Sequence, residues 1–447
     1  MREWFIKTVV RRFNSKPGRS ILKSYQDYLL RKTIRHASLH SPFYRRKFAE
    51  LGLSPELVQR QEDLPKLGLF TTGADIQADP FDFLAVPKAK VVHIMSTSGT
   101  TGKPKLTFYS KRDWEGMLSR MYAGFVLMDI GEETVHQIMF CAGTPTWMGG
   151  SLLQAGLEKR GCMIVPTGNM PSPEEQLEAL ATFGATYLYG TPSYLHRVTE
   201  EGKEIMDLQS LGINSIYVGA EPNSKAFRNY LEEAWGSRVY DGYGMQEMGA
   251  GVGGECPEQN GIHVDLNIIV EVVCPETGEP VAEGEAGELV LTIVGREATP
   301  LIRYRSGDVG RLLPDEPCPC GMLPTRKISN ILGRTDDLIF LGTGENFYPD
   351  QLDRVMVGID GVAGYQMVVG KAGYRDTLLL RIETASPSPQ LAAKITERLY
   401  TEIPFIRHDV TYSQTIAQPE VQFVKPGTFH KQSPVKVRKV VDTRNAK

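Results

Sequence analysis

What the sequence lacks already excludes several classes of protein. It has no run of about 18 apolar residues, so no transmembrane helix is expected. Only six cysteines occur among 447 residues, which excludes a disulfide framework and favours a cytoplasmic protein. The net charge of −3 offers no basic field for a nucleic-acid backbone, and there is no internal repeat or low-complexity tract. What remains is a soluble globular chain, long enough to form two domains.

The N-terminal region is basic, and its apolar run is too short for a signal peptide. A helical pattern then covers residues 20–52, and Pro42 interrupts it. The apolar face predicted for this helix consists of Ile21, Tyr25, Tyr28, Leu29 and Ile34.

From about residue 90, β-rich runs such as VVHIM, ATYLYG and SIYVG alternate with helical segments. This alternation predicts an α/β fold of layered mixed and parallel sheets with helices. Residues 262–312 change character and read as antiparallel strands with Gly-containing turns. After residue 336 the order strand, strand, helix, strand predicts a small α+β unit, whose last strand is HDVTYS at 408–413. We therefore expect an N-terminal domain, 1–335, and a C-terminal domain, 336–447.

A Gly- and Thr-rich loop, STSGTTGKPK, directly follows the strand-like run VVHIM. Small residues let a backbone approach an anion closely, and hydroxyl and ammonium groups add donors for phosphate oxygens. The loop is not a P-loop, because Pro104 follows the lysine where Mg²⁺ would need Ser or Thr. A flexible polar turn is the alternative interpretation. The candidate phosphate-binding residues are Ser98, Gly99, Thr100, Thr101, Gly102 and Lys103.

Five motifs follow this loop along the sequence, in the order VGAEP, YDGYGMQEMG, RYRSGDVGRL, CPCG and ILGRTDD. Together with the loop they resemble the adenylate-forming superfamily, and more closely the phenylacetate–coenzyme A ligase family, over nearly the whole chain. The resemblance implies that ATP and Mg²⁺ activate a carboxylic acid as acyl-AMP, and that coenzyme A then accepts the acyl group. Two alternatives stay open: delivery of the acyl group to a carrier protein or an amine, and a non-catalytic nucleotide-binding homologue.

The resemblance also assigns roles within these motifs. Asp308 is expected to bind the ribose hydroxyls and Arg334 the nucleotide, while Asp336 matches the hinge of a mobile C-terminal lid. The residues implied to surround the adenine and its ribose are Gly219, Ala220, Glu221, Pro222, Asp241, Tyr243 and Gly244.

The catalytic candidates are Glu247, Gln246 and Lys436. Glu247 offers a hard oxygen ligand for Mg²⁺. Gln246 stands where the superfamily usually has Ser or Thr, so an amide replaces a hydroxyl near the α-phosphate. Lys436, in SPVKVRKVVD, takes the place of the catalytic lysine, whose ammonium neutralises charge as two anions meet. Lys431 and Lys439 are rivals for this role, and a solvated basic tail is the simpler alternative.

Four Cys and His residues flank the antiparallel section and form a candidate zinc site. Thiolate and imidazole ligands in a set of four suit tetrahedral Zn²⁺, and such a site would be structural because it leaves no open position. Buried free thiols and a surface histidine are the alternative. The candidate ligands are Cys256, His263, Cys318 and Cys320.

The acid pocket is the least determined part of the site. Trp147 lies in the stretch that lines the pocket in the family, and Tyr189 adds aromatic surface, although Trp147 also suits an ordinary core. An aryl or arylalkyl acid is the expected substrate. The sequence does not decide the exact acid, and a homodimer stays open.

Overall fold

The structure is a computed structural model that describes residues 3–97, 104–140, 149–249, 251–321, 325–335, 339–432 and 437–444. The helices are α1 (Glu3–Phe13), α2 (Lys16–His40), α3 (Pro42–Glu50), α4 (Gly73–Ala78), α5 (Lys111–Leu127), α6 (Gly149–Arg160), α7 (Pro173–Phe183), α8 (Pro192–Gly202), α9 (Lys225–Trp235), α10 (Pro349–Met356), α11 (Pro389–Glu402), α12 (Pro404–His408) and α13 (Thr428–Gln432). None of the described helices combines the length and apolar character needed to cross a bilayer.

The strands lie between these helices along the chain. They are β1 (Val91–Ser96), β2 (Leu106–Ser110), β3 (Val135–Ile138), β4 (Met163–Val165), β5 (Tyr187–Gly190), β6 (Ser215–Gly219), β7 (Arg238–Tyr243), β8 (Gly253–Glu255), β9 (Ile262–Val264), β10 (Ile268–Val273), β11 (Ala286–Ile293), β12 (Tyr304–Arg311), β13 (Lys327–Ile328), β14 (Gly333–Arg334), β15 (Ile339–Leu341), β16 (Glu345–Phe347), β17 (Gly364–Ala372), β18 (Arg375–Glu383), β19 (Glu420–Val424) and β20 (Val440–Asp442).

The chain forms two compact units, and neither is continuous in sequence. The first unit comprises Met1–Thr134, Ala142–Ile164 and Tyr240–Asn330. The second comprises Val135–Cys141, Val165–Val239 and Ile331–Lys447. The expected domain boundary, with its hinge residue Asp336, falls at 336–338, which the structure does not describe. The domains 1–335 and 336–447 therefore stay a prediction.

The first unit contains the antiparallel section expected between residues 262 and 312. Strand β11 pairs antiparallel with β10 on one side and with β12 on the other. Strands β1 and β2 also pair antiparallel and pack on α5, which in turn packs on α6. The buried side chains of that cluster are Met95, Tyr109, Met117 and Leu152. The antiparallel prediction is confirmed.

The second unit contains the predicted parallel layer. Strands β3, β5 and β6 are parallel neighbours, and α7, α8 and α9 alternate with them in sequence. Side chains from these elements and from residues 339–440 form one core, which includes Leu188, Trp235 and Met367. Parallel strands buried on both faces need this helical cover.

The C-terminal segment of the second unit departs from one prediction. Strands β17 and β18 and helix α11 follow one another in the expected order, and the two strands pair antiparallel. The predicted strand at 408–413 is wrong, because helix α12 runs into a π-helical turn at Asp409–Ser413. The Asp409 carboxylate accepts the main-chain N–H of Thr343, and Gln414 ends the turn in a left-handed conformation. The contact between Asp409 and the distant Thr343 overrides the β-propensity of Val, Thr and Tyr, and β19 instead pairs parallel with β18.

The first helical region is also only partly as predicted. Pro42 does interrupt the helix: α2 ends at His40 and α3 begins at Pro42, capped by the Ser41 hydroxyl. The predicted apolar face is wrong for its first half, since Ile21 is 60% exposed and Tyr25 and Tyr28 are exposed as well. The buried face instead follows Leu30, Ile34 and Ala37. Spacing alone does not show which of two apolar stripes the fold covers.

Candidate active site

A short 3-10 turn, Gln246–Met248, presents the two catalytic candidates of the first unit. The main chain of this turn is held from both sides. The Tyr109 hydroxyl donates to the Gln246 carbonyl at 3.1 Å, and Nη1 of Arg296 donates to the Glu247 carbonyl at 2.7 Å. Gln246 is buried, and its amide oxygen has no hydrogen-bond partner among the described residues. The fold therefore fixes the main chain of this turn, whereas the side-chain amide oxygen of Gln246 stays unpaired among the described residues.

The Glu247 carboxylate lies in a small polar cluster. Its Oε1 is 2.5 Å from the Lys105 ammonium and accepts the Tyr304 hydroxyl at 2.7 Å. Lys105 also donates to the Tyr304 hydroxyl at 3.3 Å. Both of these contacts are made by Oε1. A buried carboxylate suits a hard cation such as Mg²⁺, so the donor chemistry fits.

Lys105 and Tyr304 were not singled out from the sequence. Tyr304 and Asp308 lie on β12, where burial alternates residue by residue, so both point to the same side of the strand. The two-residue period of this strand could have predicted from the sequence that Tyr304 lies on the same face as Asp308. No sequence signal showed that Lys105, at the end of the Gly- and Thr-rich loop, reaches Glu247.

Two expected nucleotide-binding residues meet in the first unit. The Tyr243 hydroxyl donates to Oδ2 of Asp308 at 2.7 Å, although 65 residues separate them. Tyr243 is the last residue of β7, and Gly244 follows it directly. Both side chains are buried. One hydrogen bond thus joins the aromatic residue expected near the base to the carboxylate expected to bind the ribose hydroxyls.

Asp241, two residues earlier on β7, belongs to a second polar group. Its Oδ2 accepts Nδ2 of Asn330 at 2.8 Å, and its main-chain N–H donates to Glu255. Asn330 also donates to Glu255 at 3.0 Å. Asn330 and Glu255 were missed because neither stands out in its motif. Their contacts hold the Asp241 side chain in one orientation.

In the second unit, the VGAEP turn follows β6. Gly219 ends the strand, and Ala220 is exposed with φ at +66°, in the left-handed region. The Glu221 carboxylate is buried and accepts hydrogen bonds from the main-chain N–H and the hydroxyl of Ser193. Pro222 is half-buried. The carboxylate expected to border the adenine is therefore also a structural acceptor.

Tyr189 belongs to an aromatic group on the parallel strands of the second unit. It stacks on Tyr217 with ring centroids 5.0 Å apart, and its hydroxyl lies 3.0 Å from Nδ1 of His136. His136 in turn stacks on Tyr187 at 4.7 Å. Burial lowers the pKa of His136 to about 4, so the ring is neutral at physiological pH. The group is therefore a stack of aromatic rings whose buried histidine carries no charge.

The four candidate zinc ligands come together in the first unit. All four ligand atoms of Cys256, His263, Cys318 and Cys320 lie within 4.8 Å of one another. The Sγ atoms of Cys256 and Cys318 are 3.8 Å apart, and Sγ of Cys320 is 3.6 Å from Nε2 of His263. A tetrahedral centre with Zn–S bonds of about 2.3 Å has S···S edges of about 3.8 Å. The donor set and its spacing therefore fit Zn²⁺.

The charge state of this cluster suits a cation. Hydrogen bonds from Cys320 and then from His263 lower the pKa of the Cys256 thiol, although its burial raises it. The surrounding backbone is also held: Nδ2 of Asn14 donates to the Cys318 carbonyl at 2.9 Å, and His263 pairs with Lys327 between β9 and β13. A metal here would link the β8–β9 region to the loop before β13.

Several predicted residues lie outside the part of the chain that the structure describes. They are Ser98, Gly99, Thr100, Thr101, Gly102, Lys103, Trp147, Asp336 and Lys436. Their roles stay predictions. Arg334 is described, lies on the short strand β14 and is half-buried.

The two rivals of Lys436 are both described. Lys431 is exposed on α13. Lys439 is buried and donates to both carboxylate oxygens of Asp353, at 2.7 and 2.8 Å. Lys439 thus stabilises the interior of the second unit, and its ammonium group is engaged by Asp353 instead of a substrate.

Comparison with known proteins agrees with this arrangement. The AMP-binding enzyme family matches residues 45–295, and the AMP-binding enzyme C-terminal domain matches residues 344–444. A crystal structure of 2-hydroxyisobutyryl-CoA ligase in the postadenylation state, in complex with 2-HIB-AMP, is 25% identical and superimposes with a TM-score of 0.80. The match covers 94% of this chain and 89% of that one. The fold and the site define an α/β adenylate-forming, AMP-binding enzyme.

Curated relatives narrow this class. The phenylacetate-coenzyme A ligase of Thermus thermophilus is 35% identical over 379 residues, 83% of each chain. That of Escherichia coli is 33% identical over 82% of this chain and 83% of its own. That of Aromatoleum evansii is 31% identical over 96% of both. The chain belongs to the phenylacetate–coenzyme A ligase family. It is an AMP-forming acid–thiol ligase, which activates a carboxylic acid with ATP and transfers the acyl group to coenzyme A.

Proposed function

We propose that this enzyme activates an aryl or arylalkyl acid, with phenylacetate as the first candidate, in the cytoplasm. One observation carries the assignment of the nucleotide site. The hydrogen bond from Tyr243 to Asp308 joins two motifs that the resemblance assigns to the same nucleotide. The aromatic group around Tyr189 supports an aromatic acid, since its stacked rings offer a flat apolar surface. Trp147 is proposed as a second wall of that pocket.

Mg²⁺ is proposed to bind at Glu247 and to neutralise charge on the triphosphate. Glu247 supplies the carboxylate, and the Tyr304 hydroxyl holds its orientation. The Lys105 ammonium contacts the same carboxylate oxygen, Oε1, as the Tyr304 hydroxyl. It is free to turn to a phosphate oxygen when another cation neutralises Glu247.

The first half-reaction needs positioning and charge neutralisation, and no enzyme nucleophile. An oxygen of the substrate carboxylate attacks the α-phosphorus, and pyrophosphate leaves. Lys436 is proposed to bridge the two anions, and Gln246 to donate through its amide N–H to the α-phosphate. The residues of the loop from Ser98 to Lys103 are proposed to hold the triphosphate.

The second half-reaction transfers the acyl group. The thiolate of coenzyme A attacks the acyl carbon of the adenylate, the acyl–oxygen bond breaks, and AMP leaves. We propose that the lid, residues 336–447, turns at Asp336 between the two steps, which withdraws Lys436.

Zinc is proposed as a structural ion held by Cys256, His263, Cys318 and Cys320. The spacing of the ligand atoms supports it. Four protein ligands leave no position for a substrate, so the ion has no catalytic part.

Acyl transfer, read as thioester with a thiol acceptor and as hydroxamate with hydroxylamine, tests the proposed substrate and acceptor together. The purified chain, ATP and Mg²⁺ are combined with phenylacetate, benzoate, 2-hydroxyisobutyrate and acetate in turn, each with coenzyme A, a phosphopantetheinyl carrier protein or hydroxylamine. We expect kcat/KM to be highest for an aromatic acid with coenzyme A. A preference for acetate or 2-hydroxyisobutyrate would contradict the aromatic pocket, and a preference for the carrier protein would contradict the acceptor.

A further inference from the structure

The turn after β6 places a strained residue beside a buried carboxylate. Ala220 has φ at +66°, which residues with a Cβ rarely adopt. Strained residues persist where the surrounding structure holds them, and they concentrate at functional sites. Ala220 itself is exposed, whereas the next residue, Glu221, is 7% exposed. The left-handed step thus coincides with the inward turn of the Glu221 side chain.

Three donors contact the Glu221 carboxylate. The Ser193 N–H donates to Oε2 at 2.9 Å and the Ser193 hydroxyl to Oε1 at 2.9 Å, while the main-chain N–H of Val437 donates to Oε1 at 3.2 Å. Ser193 is the second residue of α8, an 11-residue helix whose N-terminal N–H groups favour an anion. The two Ser193 contacts hold the carboxylate, and the third holds Val437.

Val437 directly follows Lys436 in the sequence. Two residues later, Lys439 is locked by its ion pair with Asp353. The main chain in this stretch is therefore fixed at two points. The Asp353 contact lies within the C-terminal segment, whereas the Glu221 contact ties that segment to the turn that borders the expected adenine site.

We propose that Glu221 is a positioning residue for adenylation, which holds the main chain at Val437 and so sets the reach of Lys436. The proposal rests on the proposed function, because it takes Lys436 as the lysine of the first half-reaction. Glu221 touches no reacting atom in this role. Attack by coenzyme A on a finished acyl adenylate does not use Lys436, so loss of Glu221 slows the first half-reaction and spares the second.

The two half-reactions are measured separately on the full chain. Acid-dependent exchange of labelled pyrophosphate into ATP reports adenylation, and thioester formation from chemically prepared phenylacetyl-AMP and coenzyme A reports transfer. We expect Glu221→Ala to lower exchange by at least about tenfold and transfer by less than about twofold. Glu221→Gln keeps one oxygen that can accept the Ser193 hydroxyl and the Val437 N–H. Its exchange rate should therefore lie between those of the wild type and Glu221→Ala.

Two further variants separate positioning from stability. Val437→Pro removes the same hydrogen bond from the donor side and leaves both Ser193 contacts intact. It should therefore also slow exchange and spare transfer, and the double variant should be little slower in exchange than Glu221→Ala alone. The control is Glu383→Ala, which removes another buried carboxylate that accepts a main-chain N–H, that of Phe429 at 2.6 Å, within the C-terminal segment. It should change both half-reactions equally.

The outcomes are distinct. Equal loss of exchange and transfer in both Glu221→Ala and Val437→Pro, or unchanged exchange in Val437→Pro, would overturn the positioning role while the proposed function stands. If the wild-type enzyme shows no acid-dependent exchange, the proposed function fails, and the role of Glu221 fails with it.

Discussion

Lys439 and Asp353 form a buried ion pair in which the lysine ammonium lies 2.7 and 2.8 Å from the two carboxylate oxygens. Asp353 is fully buried, and Lys439 is 9% exposed. The Tyr365 hydroxyl also donates to Asp353 at 2.8 Å. A lysine held in this way cannot swing towards a substrate, which leaves Lys436 and the exposed Lys431 as candidates for the adenylation step.

The three lysines should therefore respond differently to alanine. Lys439→Ala leaves a buried carboxylate without its cation and should lower the free energy of unfolding by about 3 kcal/mol. Lys436→Ala should abolish acid-dependent pyrophosphate exchange and change stability by less than about 0.5 kcal/mol. Lys431→Ala, the matched control on an exposed helix, should change neither. Denaturant titration and the exchange assay measure both effects, and full exchange activity in Lys436→Ala would refute the assignment.

Replacing Glu247 with glutamine tests the magnesium site. Glu247→Gln keeps an oxygen to accept the Tyr304 hydroxyl and removes the charge that a divalent cation needs. The Mg²⁺ concentration for half-maximal exchange should rise about tenfold or more, equivalent to about 1.4 kcal/mol. A companion variant, Glu255→Gln, changes a buried carboxylate elsewhere in the first unit and should leave the Mg²⁺ dependence as it was. An unchanged Mg²⁺ dependence in Glu247→Gln would place the metal elsewhere.

The zinc proposal predicts one tightly bound zinc per chain, measured by elemental analysis of protein purified without added metal. Cys256→Ser should lose the ion and lower the free energy of unfolding by about 3 kcal/mol or more, because the remaining ligands no longer close the site. Cys274→Ser is the control, since the Cys274 thiol bonds to Glu276 and is not one of the four clustered Cys and His residues. A zinc-free wild-type protein of normal stability would contradict the proposal.

His136 should make stability depend on pH. Burial lowers its pKa from the ordinary 6.5 to about 4, so below pH 6.5 the unfolded chain binds a proton that the folded chain refuses. Stability from this group is therefore intact above pH 6.5 and falls as the pH drops towards 4, by about 3 kcal/mol in total. In His136→Gln, the free energy of unfolding, measured by denaturant titration, should depend less steeply on pH between 6.5 and 4. An identical slope would show that other groups dominate.

The sequence predicted most of the layered fold, because strand and helix periods are local properties. It placed β5, β6, α8 and α9 by alternation and the antiparallel section by its turns. It failed at 408–413, where the bonds made by Asp409 decide the backbone, and on α2, where tertiary contacts choose the buried stripe. Both errors come from long-range interactions that a pattern of one segment does not contain.

The candidate site was predictable to a similar degree. Motif order pointed to Tyr243 and Asp308, which the structure joins by a hydrogen bond, and cysteine spacing pointed to four side chains that the structure brings together. The sequence did not show that Lys105 pairs with Glu247, or that Glu221 accepts the Val437 N–H across 216 residues. Such contacts depend on side-chain reach in the folded chain.

The most direct test of the whole account is acid-dependent exchange of labelled pyrophosphate into ATP by the wild-type enzyme, with a panel of aromatic and aliphatic acids and Mg²⁺. The account predicts exchange that requires both acid and Mg²⁺ and is fastest with an aromatic acid. A folded enzyme that shows no exchange above the acid-free background with any acid would contradict it.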